Sequence, residues 1–255
     1  MQSTSLPVID RTTLLAGLRE KISARQPIIG RHLIPQSEEG AVPPDLFALY
    51  HTAKFPQHGL MGGLLAFGDA NKIVLELAGD ALAEANGAPV LAGVSAADPF
   101  RLIPIFLKEI KEAGFAGVQN FPSMGIMDGA FRSHLESSGG GYNKEIELIR
   151  LAREFDLLTA PLVFNTDEAA RMTEAGADIL VINAPLNASS YLKRKNAGEQ
   201  KDVLEGLKRT VEAAKKIRPD VILLFGSYWP DDLKNARSHY DSCPGLDGYW
   251  TTGRE

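Results

Sequence analysis

Residues 100–121, FRLIPIFLKEIKEAGFAGVQNF, contain the pattern that decides the fold. An amphipathic segment, Phe100–Ala113, is stopped by Gly114 and is followed at once by a short apolar run, Ala116–Phe121. Glycine is favoured just after a helix because it readily adopts the left-handed backbone that ends one. The stretch therefore predicts a helix that leads directly into a buried strand.

The same alternation of apolar runs and amphipathic segments extends along the whole chain. The apolar runs predict eight strands: Pro27–His32, Leu46–His51, Pro89–Val94, Ala116–Phe121, Leu158–Phe164, Ile179–Asn183, Val221–Phe225 and Gly245–Trp250. The amphipathic segments predict helices: Arg11–Arg25, Lys72–Ala85, Phe100–Ala113, Lys144–Phe155, Asp167–Ala175, Gln200–Ile217 and Asp231–His239. Continuous apolar runs are typical of parallel strands that helices cover on both faces. We therefore predict a single α/β domain, residues 1–255, folded as a (β/α)8 barrel, with an open doubly wound sheet as the alternative.

The predicted eighth strand, Gly245–Trp250, stands close to Glu255, so no closing eighth helix is expected. Its absence would leave apolar barrel surface uncovered, which is unusual on a soluble monomer. We expect either the helix Arg11–Arg25 or a neighbouring subunit to cover that surface. The second possibility predicts a homo-oligomer.

Composition narrows the class of partner. The 255 residues include 27 Lys and Arg against 32 Asp and Glu, and the net charge of −5 disfavours nucleic acid and anionic membranes as partners. No apolar run is long enough to cross a bilayer. A single cysteine, Cys243, permits no internal disulfide and no multi-cysteine zinc site. A cytoplasmic protein is expected.

Catalytic candidates are sought at the carboxyl ends of the strands, where barrels carry their active sites. His32 is the first, because an imidazole near neutral pH can take up a proton and return it elsewhere. Arg31 beside it could lower the pKa of His32 and keep the imidazole a base. Asp98 is either the N-cap of the following helix or a carboxylate that holds a histidine tautomer. Asn120 could donate an amide hydrogen bond to a developing oxyanion.

Further polar and aromatic side chains near strand ends are predicted to bind the substrate. They are His51, Lys54, Phe121, Glu136, Asn165, Asn183, Trp229 and Trp250. Only Asp98 offers a carboxylate clearly placed at a strand end, and no histidine spacing typical of a metal site occurs. We therefore expect neither an obligatory metal nor a cofactor.

Three stretches resemble the phosphoenolpyruvate hydrolase-like TIM-barrel family. They are residues 68–76 (GDANKIVLE), residues 91–100 (LAGVSAADPF) and residues 114–122 (GFAGVQNFP), and the likeness extends over about residues 27–183. Family members usually carry a glycine-rich turn after the first strand, where this chain has residues 31–35 (RHLIP). The small-anion end of the family's pocket is thus altered, and an enol phosphate is not the expected substrate.

A divergent barrel of this family with a histidine on its first strand also resembles the fungal-type chalcone isomerases. That resemblance implies that His32 takes the proton of a chalcone 2′-hydroxyl, whose oxygen then adds to the conjugated double bond to give a flavanone. Arg31 or Lys54 would stabilise the phenolate or enolate, and aromatic side chains would line an apolar slot. The expected partner is a small aromatic or unsaturated carbonyl compound.

Two rival functions stay open at this point. One is a C–C or enol-ester hydrolase or lyase acting on a pyruvyl or β-keto substrate, in which Asp98, Asn120 and Glu136 would matter more than His32. The other is a binding barrel without catalytic activity, which the altered first-strand turn and the missing last helix make plausible.

Overall fold

The computed structural model describes residues 10–34, 43–64, 68–183, 197–226 and 236–251. Strands in these ranges are β1 (Ile28–Leu33), β2 (Leu46–Leu49), β3 (Val90–Gly93), β4 (Gly117–Gln119), β5 (Leu158–Thr159), β6 (Leu162–Val163), β7 (Ile179–Asn183), β8 (Ile222–Gly226) and β9 (Gly248–Thr251). The α-helices in the same ranges are α1 (Arg11–Ser23), α2 (Ala70–Glu84), α3 (Ile103–Ala113), α4 (Gly129–Ser137), α5 (Asn143–Glu154), α6 (Thr166–Glu174), α7 (Ala197–Ile217) and α8 (Ala236–Ser242). Short 3-10 turns cover His51–Lys54, Pro56–Leu64 and Met124–Ile126.

All strands pair in parallel, in the order β5-β4-β3-β2-β1-β9-β8-β7-β6. The two strands at the ends of this order, β5 and β6, are separated in sequence only by Ala160 and Pro161. They are two halves of one strand, which pairs with β4 through its first half and with β7 through its second. The sheet is therefore closed, and the predicted (β/α)8 barrel is confirmed over the open sheet.

Side chains alternate between the inside of this barrel and the layer of surrounding helices, as the pleat of a strand requires. The interior cluster includes Ile28, Leu46, Leu91, Leu158, Ile179, Ile222 and Trp250. Leu15 and Leu18 of α1 belong to the same cluster, and Arg11 at the start of α1 pairs with Asp178, directly before β7. Helix α1 thus closes the amino end of the barrel, which we call the floor. A neighbouring subunit beside β9 remains a prediction.

Several element boundaries differ from the predicted ones. Helix α3 begins at Ile103 rather than Phe100, with Leu102 as its N-cap and Pro104 in its first turn, so the predicted capping role of Asp98 is wrong. Its predicted stop is confirmed, because Gly114 is the C-cap and has a φ of 101°. Helix α4 is not among the helices that the sequence predicts.

The interruption between β5 and β6 is bridged by the side chain of Asn120. Its amide oxygen accepts a hydrogen bond from the Leu162 N–H at 2.6 Å, and its amide nitrogen donates to the Leu162 carbonyl at 3.1 Å and to the Glu145 carboxyl group. Ser123 and the Met124 N–H also donate to Glu145. Asn120 is fully buried. Its side-chain amide takes the place of backbone hydrogen bonds where the strand is interrupted between β5 and β6.

Replacing Asn120 by Leu should therefore destabilise the fold. The side chain keeps its approximate volume, but the Leu162 N–H and the Glu145 carboxyl group each lose a buried partner, so we expect a loss of about 3 kcal/mol in the free energy of unfolding. Denaturant unfolding measures it. Asn143→Leu, at an exposed position of α5, is the control and should change stability by about 0.5 kcal/mol or less. Equal effects of the two changes would contradict the bridging role.

Candidate functional site

Five buried side chains meet inside the barrel at the carboxyl ends of the strands. His32 lies on β1, Tyr50 directly follows β2, Gln119 ends β4, Phe121 lies two residues further on, and Trp250 lies on β9. We call these five residues the mouth cluster. The parallel register shows that these side chains point into the barrel. His32 pairs with Ala48, and Gly30, two residues before His32 on β1, pairs with Trp250. Ala48 and Trp250 both belong to the interior cluster.

The rings of the mouth cluster form a continuous series of contacts. The His32 imidazole lies 4.7 Å from the Tyr50 ring and 6.1 Å from the Trp250 ring, measured between centroids. Tyr50 stacks on Phe121 at 3.9 Å with nearly parallel planes. The Tyr50 hydroxyl donates a 2.6 Å hydrogen bond to the Gln119 amide oxygen. The histidine is thus connected to Gln119 through aromatic surface and one strong hydrogen bond.

Burial keeps the titratable members of this cluster neutral. It lowers the pKa of His32 to about 3, because an imidazolium in an apolar surrounding loses its hydration. It likewise raises the pKa of the Tyr50 phenol. The prediction that Arg31 lowers the pKa of His32 is wrong in its cause: Arg31 pairs with Phe47, which packs against the outer layer, so the arginine faces away from the barrel interior.

Three polar atoms of the mouth cluster are buried without a hydrogen-bond partner in the described part of the chain. They are Nδ1 of His32, Nε2 of Gln119 and Nε1 of Trp250. Buried polar groups in folded proteins are nearly always paired, so such atoms call for a specific explanation. Two of the three, the amide and the indole nitrogens, can only donate. The site therefore offers two donors beside a neutral imidazole.

The other catalytic candidates lie elsewhere. Asp98 bonds Arg101, Asn71 and the Phe100 N–H, and no histidine is among these partners, so its predicted role in holding a histidine tautomer is wrong. Asn120 faces away from the barrel interior and is held in the β5–β6 bridge, which contradicts its predicted role as an oxyanion donor.

The predicted substrate-binding residues divide into two groups. Phe121 and Trp250 belong to the mouth cluster, Asn183 ends β7 and donates to the Val181 carbonyl, and buried His51 lies 5.7 Å from the Phe121 ring between centroids. Burial also lowers the pKa of His51.

The remaining residues of that prediction have structural partners. Lys54 pairs with Glu76, Glu136 binds Arg132 and the Tyr142 N–H, and Asn165 caps α6. Trp229 lies outside the described residues.

Sequence reasoning missed Tyr50 and Gln119 as site residues. Each is the direct neighbour of a residue that was chosen, His51 and Asn120 respectively. Strand parity would have found them: once His32 is taken to face inward, the parallel register makes Ala48 and then Tyr50 face inward as well.

None of the helices in the described ranges is long and apolar enough to cross a membrane. No group of three or more His, Cys, Asp or Glu side chains in the same ranges is arranged to hold a metal ion.

A closed parallel barrel with inward-facing imidazole, amide and indole groups at the carboxyl ends of its strands defines a TIM-barrel protein with a candidate ligand site in the usual position. The chain belongs to the phosphoenolpyruvate hydrolase-like family, whose model matches residues 13–253.

Two curated relatives and one solved structure are similar to this chain. It is 42% identical over 219 residues to the ToMV resistance protein Tm-1(GCR237) of Solanum lycopersicum, covering 84% of this chain and 29% of that protein. It is 30% identical over 159 residues to the putative transcriptional regulatory protein y4pA of Sinorhizobium fredii, covering 62% of this chain and 26% of that protein. The chain thus spans less than a third of the length of either relative.

Among solved structures, 3-keto-L-gulonate-6-phosphate decarboxylase from Vibrio cholerae matches with a TM-score of 0.49 and 13% identity, covering 89% of this chain and 88% of that one. None of these matches supports the finer resemblance to fungal-type chalcone isomerases.

The mouth cluster depends on a glycine in β1, which gives a direct test of its packing. A Cβ on Gly30 would lie 2.1 Å from Cε3 of Trp250, so the indole must move if a side chain is added there. Gly30→Ala should lower the free energy of unfolding by about 2 kcal/mol and change the tryptophan fluorescence. In the control Gly79→Ala, on α2, a Cβ meets nothing within 4 Å, so unchanged or higher stability is expected. An unaltered Gly30→Ala spectrum would contradict the placement of Trp250.

Proposed function

We propose that the protein catalyses proton transfer within an uncharged aromatic substrate, and that its specific reaction is the ring closure of a chalcone-type phenolic enone to a flavanone. One observation carries the proposal: a buried neutral imidazole lies among aromatic rings beside two unpaired N–H donors. A phenolic enone supplies the matching groups, namely aromatic rings, a hydroxyl to donate and a carbonyl to accept.

The charge of the site favours this substrate over the one in the family's name. An enol phosphate carries several negative charges and needs cationic partners when it leaves water. Within the ranges that the structure describes, the mouth cluster contains no Lys or Arg, Arg31 faces outward and Lys54 is ion-paired to Glu76. An uncharged substrate needs no cationic partner when it leaves water.

The reaction can be written with His32 as the only proton carrier. A nitrogen of the neutral imidazole accepts the proton of the 2′-hydroxyl while the phenolic oxygen forms a bond to the β-carbon of the enone. The electron pair of the double bond moves to the α-carbon and the carbonyl oxygen, giving an enolate. The imidazolium then returns the proton to the α-carbon, so substrate and product have the same composition.

The low pKa of His32 sets the energetics of this cycle. A proton moved from a phenol to an imidazole with a pKa of about 3 goes uphill in free energy. The phenolic oxygen must therefore form its bond to the β-carbon as the proton leaves. The resulting imidazolium is a strong acid, which drives the return of the proton to carbon.

The enolate oxygen has two candidate partners in the mouth cluster. Nε2 of Gln119 and Nε1 of Trp250 are buried N–H donors without a partner in the described residues, and Gln119 is oriented by the hydroxyl of Tyr50. Donors fixed before the reaction stabilise the charge that develops on the oxygen. This assigns Gln119 and Trp250 the electrostatic role that sequence reasoning gave to Arg31 or Lys54 and to Asn120.

Naringenin chalcone tests the proposal through the loss of its visible absorbance, measured against the spontaneous rate. The wild type should accelerate the loss, and His32→Gln should reduce kcat by about a hundredfold or more because the proton carrier is removed. His134→Gln is the control, since His134 is exposed on α4, and it should match the wild type.

Absence of acceleration by the wild type, or equal rates for His32→Gln and the wild type, would overturn the proposal. If the wild type instead splits pyruvyl or β-keto esters into two products, that result supports the hydrolase alternative. If it binds the chalcone tightly without converting it, that result supports the alternative of a binding barrel without catalytic activity.

A further inference from the structure

A cavity of about 370 Å³ lies at the floor of the barrel. It is bounded by α1, by the end of α5 and by the segments that precede β7 and β8. These elements supply the lining residues Arg11, Thr12, Leu15, Ala16, Arg19, Arg153, Asp178, Arg218 and Asp220. The cavity is at the amino ends of the strands, opposite the mouth cluster, and has the size of a small-molecule site.

Its lining carries an excess of positive charge, with four arginines against two aspartates. Arg11 is committed to Asp178 through its Nε at 2.8 Å and a second contact from Nη2. Asp178 also accepts hydrogen bonds from the N–H and hydroxyl of Thr159, so its oxygens are well occupied. Arg19 pairs with Asp220 at 2.7 Å.

The remaining two arginines are less well compensated. Arg218 donates to the Ala177 carbonyl and lies 3.7 Å from Asp220, a carboxylate that it shares with Arg19. Burial lowers the pKa of Arg218; the nearby carboxylates of Asp220 and Asp178 oppose that shift, and the charge of Arg153 adds to it. Arg218 and Arg153 are therefore close enough for their charges to repel each other.

Arg153 has no hydrogen-bond or ion-pair partner among the described residues. Its guanidinium lies against the backbone of Gly176, since a Cβ at that glycine would come 1.9 Å from Nη1. Gly176 has a φ of 91°, which few other residues adopt. The contact holds the arginine head at the cavity while leaving its donors available.

We propose that this floor cavity is a binding site for a small molecule that carries a phosphate group. A phosphate monoester bears nearly two negative charges at neutral pH, which matches the excess of two positive charges in the lining. Planar guanidinium groups bind phosphate oxygens in pairs, and Arg153 and Arg218 are the two placed to do so. The site is independent of the mouth cluster and of the reaction proposed there.

Inorganic phosphate is the probe for this site. The unfolding temperature is measured against phosphate concentration at constant ionic strength, with chloride as the balancing anion, because a ligand of the native state stabilises it in a saturable way. The wild type should show saturable stabilisation. Arg153→Gln should bind about tenfold more weakly, the usual result of deleting a charge-assisted hydrogen bond.

Arg150→Gln is the matched control, because it removes the same charge from the same helix at a residue that pairs with Glu147 and Glu154 on the surface. It should retain the phosphate response of the wild type. Should Arg153→Gln fail to fold, Arg153→Lys replaces it, and it should still bind more weakly because it lacks the planar fork.

Two results would overturn the proposal. They are a wild type without a saturable response to phosphate, and an equal response in the Arg153 and Arg150 variants.

Discussion

Closure of the sheet at residues 158–163 is the constraint on which the rest of the structure depends. Pro161 has no N–H to give to a ladder, and the strand is interrupted between Thr159 and Leu162. The chain nevertheless remains connected to both neighbours, because the Ala160 N–H donates to the Val118 carbonyl and the Val181 N–H donates to the Pro161 carbonyl. The buried amide of Asn120 and the hydroxyl of Tyr142 supply the side-chain hydrogen bonds at Leu162. A closed sheet has a defined interior, and the interior determines which side chains meet at the mouth.

The two ends of this interior differ in charge. The mouth cluster is held neutral by burial, and the proton transfer that we propose there involves a single imidazole. At the floor, α1 contributes leucines to the interior cluster while its arginines reach the cavity outside it. The same helix thus completes the apolar core and places positive charge at its edge. An uncharged substrate at one end and a phosphate-bearing ligand at the other are the chemistries that these surroundings favour.

The fold could be predicted from the sequence because its signals are local. Apolar runs indicate strands, and Gly114 marks the end of α3 as expected. The site was predicted less well, because buried parallel strands are apolar on both faces and therefore do not reveal which residues face inward. The predicted His32 and Trp250 lie in the mouth cluster, whereas the predicted His51 and Asn120 are the chain neighbours of two of its members, Tyr50 and Gln119. Helix α4 was missed since none of its residues is buried, which leaves only a weak periodic pattern.

The central claim is that His32 faces a closed and apolar barrel mouth, and an NMR titration of its imidazole tests this most directly. The ring signals of His32 are assigned by their loss in His32→Gln and are followed from pH 8 to pH 5. With a pKa lowered to about 3 by burial, the imidazole should stay neutral and its signals should not shift over this range. A titration midpoint near the ordinary histidine value of about 6.5 would contradict the claim, because it would place the ring in water.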